Sequence, residues 1–351
     1  METKMKKIAV MVLSSMLLFG CEERLLGPDS EDTPKSNFET LWKTFDEKYA
    51  LFSAKDINWD SLHAFYGAMV TPSTTDDQLW NICTGLLSNL DDGHVVLVNQ
   101  DASKIFSAGK VGQRKMDDFS LDLIRQRFLD SCVVAGQGRI TYGKIKNNNI
   151  GYIHISSFTG TNSGNGVDWA YAIDSAVARL YGCDGIIVDV RNNGGGLRVT
   201  GDIIVSAFID REITYFYQRL KTGRGHDDFG PVRAITISPR PNAPRYTKKI
   251  AFLTNRFSAS GSEYAAQIFK NLSYSTQIGD TTYGVQGEIT ADAELPNGWV
   301  FWFPCTLTTT PDGVCHEGIG IVPDMLVENS KSDIDAGRDR ILQRAIGYLS
   351  N

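Results

Sequence analysis

From Phe38 to Tyr49 apolar residues return every three or four positions, at Phe38, Leu41, Trp42, Phe45 and Tyr49. That period lays one apolar stripe along an α-helix. A second helix is predicted after Asn58-Trp59-Asp60, and a third from Asp76 to about Leu90. From Asn149 onward the texture alternates. Ile150–Ser156 reads as a strand, and Val167–Leu180 as a helix opened near Asn165. Gly185–Val190 is a continuous apolar strand with a helix beginning near Leu197, and Lys249–Thr254 is another with a helix from about Ala259. Short apolar strands alternating with helices predict an α/β fold whose mainly parallel sheet is covered on both faces. Gly298–Leu307 adds a late strand-like segment, and residues 101–148 show little periodicity beyond a short helix near Leu121–Phe128.

Composition narrows the classes. The chain has 351 residues, 42% of them hydrophobic and 22% charged, with a formal charge of −6. This is globular composition, and without a basic stripe it argues against a nucleic-acid partner. The first residues have a separate logic. Three lysines in Met1–Lys7 precede the apolar run Ile8–Gly20. As a helix that run reaches only about 20 Å at roughly 1.5 Å per residue, short of a bilayer core. Residues 1–20 therefore read as a secretory signal. Gly20-Cys21 is similar to a bacterial lipobox, in which the cysteine is lipidated and anchors the chain; a plain signal peptide is the other reading. Glu22–Ser36 is polar and acidic, and residues 21–36 read as a tether. These features predict a lipid-anchored protein of the bacterial cell envelope, with Glu22-Glu23 pointing to the outer membrane. Of the five remaining cysteines, Cys305 and Cys315 flank a turn-like Thr-Pro-Asp-Gly stretch. They are the best-placed pair for an oxidising compartment, with free buried thiols as the alternative.

Open parallel sheets place their chemistry at the carboxyl ends of strands. The strand Ile186–Val190 runs into Arg191-Asn192-Asn193-Gly194-Gly195-Gly196, whose glycines let backbone N–H groups face a cavity. A turn that simply needs positive φ would look the same. The strand Ala251–Thr254 runs into Asn255-Arg256-Phe257-Ser258-Ala259-Ser260-Gly261-Ser262-Glu263. A serine at a strand-to-helix turn lies beside unpaired helix N-terminal amides, which stabilise an oxyanion. A plain helix start, with Ser258 or Ser260 as cap and Glu263 closing a capping box, explains the residues equally well. Leu90-Asp91-Asp92-Gly93-His94-Val95 sets a histidine between a helix end and a strand, where it can act as a general base. Among the other histidines only His316, beside Glu317, rivals it.

These segments together resemble the S41 peptidase family, which contains the C-terminal processing proteases and the tricorn core protease. The matching stretches are LDDGHVVL, NNIGYIHISSF, IIVDVRNNGGG, IAFLTNRFSASGSE and HEGIGIVPDMLV, in the family's order from Phe38 onward. The resemblance implies a ClpP/crotonase-like α/β core over residues 149–351, behind an N-terminal helical subdomain at 37–100. It makes Ser260 the nucleophile, with the N–H of Gly261 and one from the Asn193–Gly196 turn, Gly195 foremost, as the oxyanion hole. The processing branch carries a lysine in a T-F-G-K-G motif, where this chain has Thr282-Tyr283-Gly284-Val285-Gln286, so a serine–lysine dyad is not available. The tricorn-like branch uses a histidine from a D-S-H motif and a glutamate from a motif like E-N-x-G-V-x-P-D. Asp92-Gly93-His94 and Glu317–Asp324 match these, making His94 the base and Glu317 its orienting carboxylate. Gly93 replaces the serine that links the two.

A serine peptidase of this kind works through an acyl-enzyme and needs no cofactor or metal. Its expected partners are peptides or unfolded proteins outside the cytoplasm, and the membrane through Cys21. Residues 101–148 are about half of what a PDZ domain needs, so none is expected between the helical part and the core. A non-catalytic lipoprotein holding a peptide or hydrophobic ligand in the same cleft is the alternative reading, and Gly93 is the feature that favours it.

Overall fold

The computed structural model describes residues 31–160, 166–289 and 292–351. The signal segment, Cys21 and the Asn165 helix start lie outside the described residues. Two compact units are formed, and both are discontinuous in sequence. The first holds the chain to Gly109 with Leu220–Gly230 and Glu288–Cys305, and the second holds the remainder.

In the first unit the helices follow their caps. α1 (Pro34–Lys48) begins inside the expected tether, because Thr33 accepts the Ser36 N–H at 3.1 Å and Pro34 occupies the first turn. α2 (Trp59–Gly67) starts where Asn58 accepts the Ser61 N–H at 2.9 Å. α3 (Asp76–Ser88) opens with a Thr75/Gln78 capping box. Phe38, Leu41 and Phe45 of α1 are buried, as are Leu79, Ile82, Cys83, Leu86 and Leu87 of α3. Val96–Val98 pairs antiparallel with both Ile105–Ser107 and Val300–Trp302. The expected strand Gly298–Leu307 is therefore two, since Thr306–Thr309 belongs to another sheet beside Ile213–Leu220. Pro304 between them has no N–H with which to continue a ladder.

The second unit is built on a seven-stranded sheet. In chain order its elements are β1 (Leu129–Ala135), β2 (Ile140–Ile145), β3 (Ile150–Ile155), α4 (Ala172–Leu180), β4 (Gly185–Asp189), α5 (Arg198–Val205), β5 (Lys249–Thr254), α6 (Gly261–Lys270), β6 (Ser275–Gly279), β7 (Met325–Leu326) and α7 (Arg340–Ser350). The spatial order is β7-β6-β5-β4-β3-β2-β1. Pairing is parallel from β3 to β7 and antiparallel across β1, β2 and β3. Alternate residues serve opposite faces. Ile153, Val188 and Phe252 pack towards α4, α5 and α6, whereas Tyr152, Ile187 and Leu253 pack towards Ile341, Leu342 and Ala345 of α7. Burial on both sides is why these strands read as continuous apolar runs. The hairpin β1–β2 falls in the stretch expected to hold only a short helix. β1 is exposed from Asp130 to Val134, so it shows no alternation.

Among the described residues no cysteines are bridged, so the expected Cys305–Cys315 pair is not formed. The Cys305 thiol instead donates to the Glu288 carbonyl at 3.3 Å. No described helix is long and apolar enough to cross a membrane.

Candidate active site

Two turns at the carboxyl ends of the neighbouring parallel strands β4 and β5 meet in the second unit. The turn after β4 is held by one of its own side chains, which also reaches the end of β3. Asn193 donates from Nδ2 to the Ile155 carbonyl (2.9 Å), and its Oδ1 accepts the Gly195 N–H (2.9 Å). The turn after β5 is stapled to it: the Ala259 N–H and the Ser262 hydroxyl both donate to the Asn193 carbonyl (3.0 and 2.8 Å), and the Ser258 hydroxyl donates to the Val190 carbonyl (2.9 Å). Of the three serines in the Ser258–Ser262 run, two are therefore fully buried and bonded to backbone carbonyls. Ser260 is half-buried, and its hydroxyl donates to no described residue.

Ser260 stands at φ 51°, ψ −113°, a conformation that L-residues rarely adopt, immediately before the first residue of α6. Gly195 lies against it. A Cβ at 195 would fall 2.6 Å from both the Ala259 oxygen and the Gly261 nitrogen, and 2.8 Å from Ser260 Cβ. The backbone approach is possible only for glycine. The Gly196 nitrogen lies 3.3 Å from where a Cβ of Gly261 would stand. The N–H groups of Gly196 and Gly261 are bonded by no described residue, whereas that of Gly195 is held by Asn193. The uncommitted N–H that the turn presents beside Ser260 is thus one residue beyond the Gly195 of the sequence reading.

Glu263 clamps this elbow. Its carboxylate is fully buried. Oε2 accepts the N–H of Ser260 (3.1 Å) and of Val285 (2.8 Å), and Oε1 accepts the Thr282 hydroxyl (2.7 Å) and the Gly284 N–H (2.8 Å). Burial pushes its pKa up, and these four donors pull the other way. The capping-box reading of Glu263 is correct as local geometry, but the longer reach to Thr282–Val285 has no local signal. Val285, in the position of the processing-branch lysine, is buried. The next residue, Gln286, donates its N–H to Glu317 Oε2 at 2.8 Å. A hydrogen-bonded path therefore runs from the Ser260 backbone through Glu263 and the 284–286 backbone to Glu317.

Beneath the first turn lies a buried ion network that sequence reasoning missed. Arg191 forks onto Asp189 and, at 2.8 and 2.9 Å, onto Asp339, the N-cap of α7. Burial opposes the charge, but the two carboxylates hold the guanidinium well above its usual range. The Tyr152 hydroxyl completes the set at Asp189 (2.8 Å). This network fastens the end of β4 to α7.

His94 belongs to the first unit. Its backbone N–H donates to Asp92 Oδ1 at 2.8 Å, and Asp92, wholly buried, also accepts the Tyr49 hydroxyl at 2.7 Å. The Asp of the D-G-H stretch thus sets the loop that carries the histidine.

Comparison with known proteins bears on the same residues. The family model described as Peptidase family S41 matches residues 149–327, and that of the Tricorn protease C1 domain matches residues 30–87. The carboxy-terminal processing protease CtpA of Bacillus subtilis is 29% identical over 187 residues, a stretch covering 53% of this chain and only 37% of that protein. A solved structure from Parabacteroides merdae is 30% identical with a TM-score of 0.81, covering 92% of this chain and 98% of its own. The structure of mature CPAF shares the fold at 12% identity, with a TM-score of 0.65 and coverage of 90% and 96%. With its S41 match extending over half its length and through both turns, the chain belongs to peptidase family S41.

Proposed function

We propose that this protein is a serine peptidase that cleaves peptide bonds of extracytoplasmic peptides or proteins through an acyl-enzyme. Ser260 Oγ attacks the scissile carbonyl while His94 takes its proton, and Glu317 orients the histidine. The tetrahedral oxyanion is held by the N–H of Gly261 and of Gly196. His94 then protonates the leaving amine, and water hydrolyses the ester. The observation that carries this reading is the strained Ser260 elbow, held by Glu263 against two uncommitted backbone N–H groups. Buried Val285 argues against a lysine base. The signal-like segment ending at Cys21 supports a lipid-tethered enzyme in the cell envelope.

The test is hydrolysis of a mixed peptide library, with fluorophosphonate labelling, by the soluble form from Glu22 beside Ser260→Ala and His94→Ala. Loss of both signals in Ser260→Ala, and a fall of about 10²–10⁴-fold in His94→Ala, is expected. Full cleavage by Ser260→Ala would overturn the assignment. Gly93 favours one second reading, a non-catalytic binding lipoprotein. A wild type that neither cleaves nor labels between about pH 6 and 9, a range that titrates histidine, would move the assignment there.

A further inference from the structure

Asn255 joins the two turns of the candidate site with a single side chain. It follows β5 directly and is fully buried. Its Oδ1 accepts the N–H of Asn192 (2.9 Å) and of Phe257 (3.2 Å), one from each turn. Its Nδ2 donates to Asn192 Oδ1 (2.7 Å), and Asn192 is itself held at φ 57°. The remaining acceptor of Nδ2 comes from elsewhere in the chain. It is the carboxylate of Asp118, at 3.1 and 3.3 Å to its two oxygens. A carboxylate only accepts, so it fixes the carboxamide with its N–H₂ towards Asp118 and its oxygen towards the two turn N–H groups.

Asp118 is itself prevented from swinging. Its carbonyl accepts Asn329 Nδ2 at 3.0 Å, and the same nitrogen donates to Asp339 of the Arg191 network at 3.0 Å. The next residue, Phe119, lies under the Arg191 guanidinium (4.7 Å to the ring centroid) and stacks on His154 (centroids 5.2 Å apart, 27° between planes). The aspartate is thus anchored at its own carbonyl and through the residue that follows it, and its side chain meets Asn255, whose side chain bonds both turns.

We propose that Asp118 is a positioning residue for the peptidase reaction. Acting through Asn255, it keeps the Gly196 N–H and the Ser260 hydroxyl in the register that stabilises the oxyanion. Asp118, three residues before the short helical segment that starts at Leu121, would then complete the part of the active site that the second unit carries. This inference rests on the serine-peptidase reading above.

The experiment measures kcat and KM for a cleaved peptide, and the rate of fluorophosphonate acylation of Ser260, in full-length wild type, Asp118→Ala, Asp118→Asn, Asn255→Ala and the double variant Asp118→Ala/Asn255→Ala, with Asp117→Asn as control. In Asp118→Ala, kcat and the acylation rate fall about 10- to 100-fold while KM stays within about twofold, as expected for loss of preorganised geometry rather than of binding. Asp118→Asn recovers part of the loss, because its carboxamide oxygen still accepts one hydrogen bond. The double variant is no worse than Asn255→Ala, since both act through one link. If Asp118→Ala does not fold, Asp118→Asn, which keeps shape and volume, carries the test with its thermal midpoint as the folding check. The proposal is overturned if the folded Asp118 variants react within twofold of wild type, or if the losses multiply in the double variant. A wild type inert to both peptide and fluorophosphonate would defeat the peptidase reading, and this inference with it. Normal wild-type reaction with indifferent Asp118 variants would defeat this inference alone.

Discussion

The turns after β4 and β5 solve one geometric problem in opposite ways. Each turns the chain from a buried parallel strand into a helix, and each uses backbone on the positive side of φ. After β4 that conformation falls on Asn192 and on glycines, Gly195 at 92° and Gly196 at 140°. After β5 it falls on Ser260, a residue with a side chain. The first turn supplies backbone donors, and donors are most useful where no Cβ blocks them. On the proposed mechanism the second must present a hydroxyl, so glycine is unavailable and the strain, about 1–3 kcal/mol for such a residue, has to be held by the surroundings. Glu263 does the holding at the Ser260 N–H. Emptiness serves one turn and constraint the other.

The comparison breaks most visibly at the glycines. A Cβ on Gly196 would stand 2.2 Å from the Phe158 carbonyl carbon, whereas one on Gly194 meets nothing within 4 Å. Gly196→Ala is therefore expected to cost at least about 4 kcal/mol and to yield little folded, active protein. Gly194→Ala, two residues away, should keep its melting temperature within about 2 °C, as an unstrained exposed substitution does. Thermal unfolding of both proteins checks this, and equal behaviour would mean that the turn does not depend on close approach. Glu263→Gln comes next. It replaces an acceptor oxygen facing backbone N–H groups with an N–H₂ group, leaving buried donors opposed at about 1–3 kcal/mol each. A kcat loss of about 10²-fold with KM little changed is expected. A Glu263→Gln enzyme as fast as wild type would show that Ser260 holds its shape unaided.

Much of this is legible in the sequence, and what is hidden has a physical pattern. The helices and the parallel strands declare themselves because each buries a periodic face or a continuous apolar run, and Ser260 stands out as a serine between such a strand and a helix. The edge strand β1 does not, because a strand exposed on both sides carries no periodicity. Glu263 reads as a local cap, which it is; its three other bonds reach residues 282–285 and leave no trace nearby. The same holds for Asp118 and Asn255, partners 137 positions apart, and for Arg191 with Asp339. The proposed use of the Gly196 N–H in place of that of Gly195 turns on which N–H the Asn193 side chain captures. Motif spacing is blind to that choice, although an Asn two residues before a glycine is a residue type known to bond its own backbone that way.

The smallest effect tests whether strain is stored at Ser260, the proposed nucleophile. Ser260→Ala and Ser260→Gly both remove the hydroxyl and should both be inactive, so stability can be compared apart from function. Alanine keeps the Cβ at φ 51°; glycine removes it. Glycine also adds freedom to the unfolded chain, worth about 0.5–1 kcal/mol against it. As relief of the strained backbone is worth about 1–3 kcal/mol, glycine should still come out ahead, by about 1 kcal/mol. At the helix start glycine is an acceptable cap and alanine a poor one, which pushes the same way. In a protein of this size the difference is a rise of about 2 °C in melting temperature for Ser260→Gly over Ser260→Ala, within reach of paired calorimetric scans. Should the glycine variant melt at or below the alanine variant, the positive φ is not a strained state at all. The Glu263 clamp would then be orienting a relaxed turn, and the contrast between the two turns would reduce to their side chains.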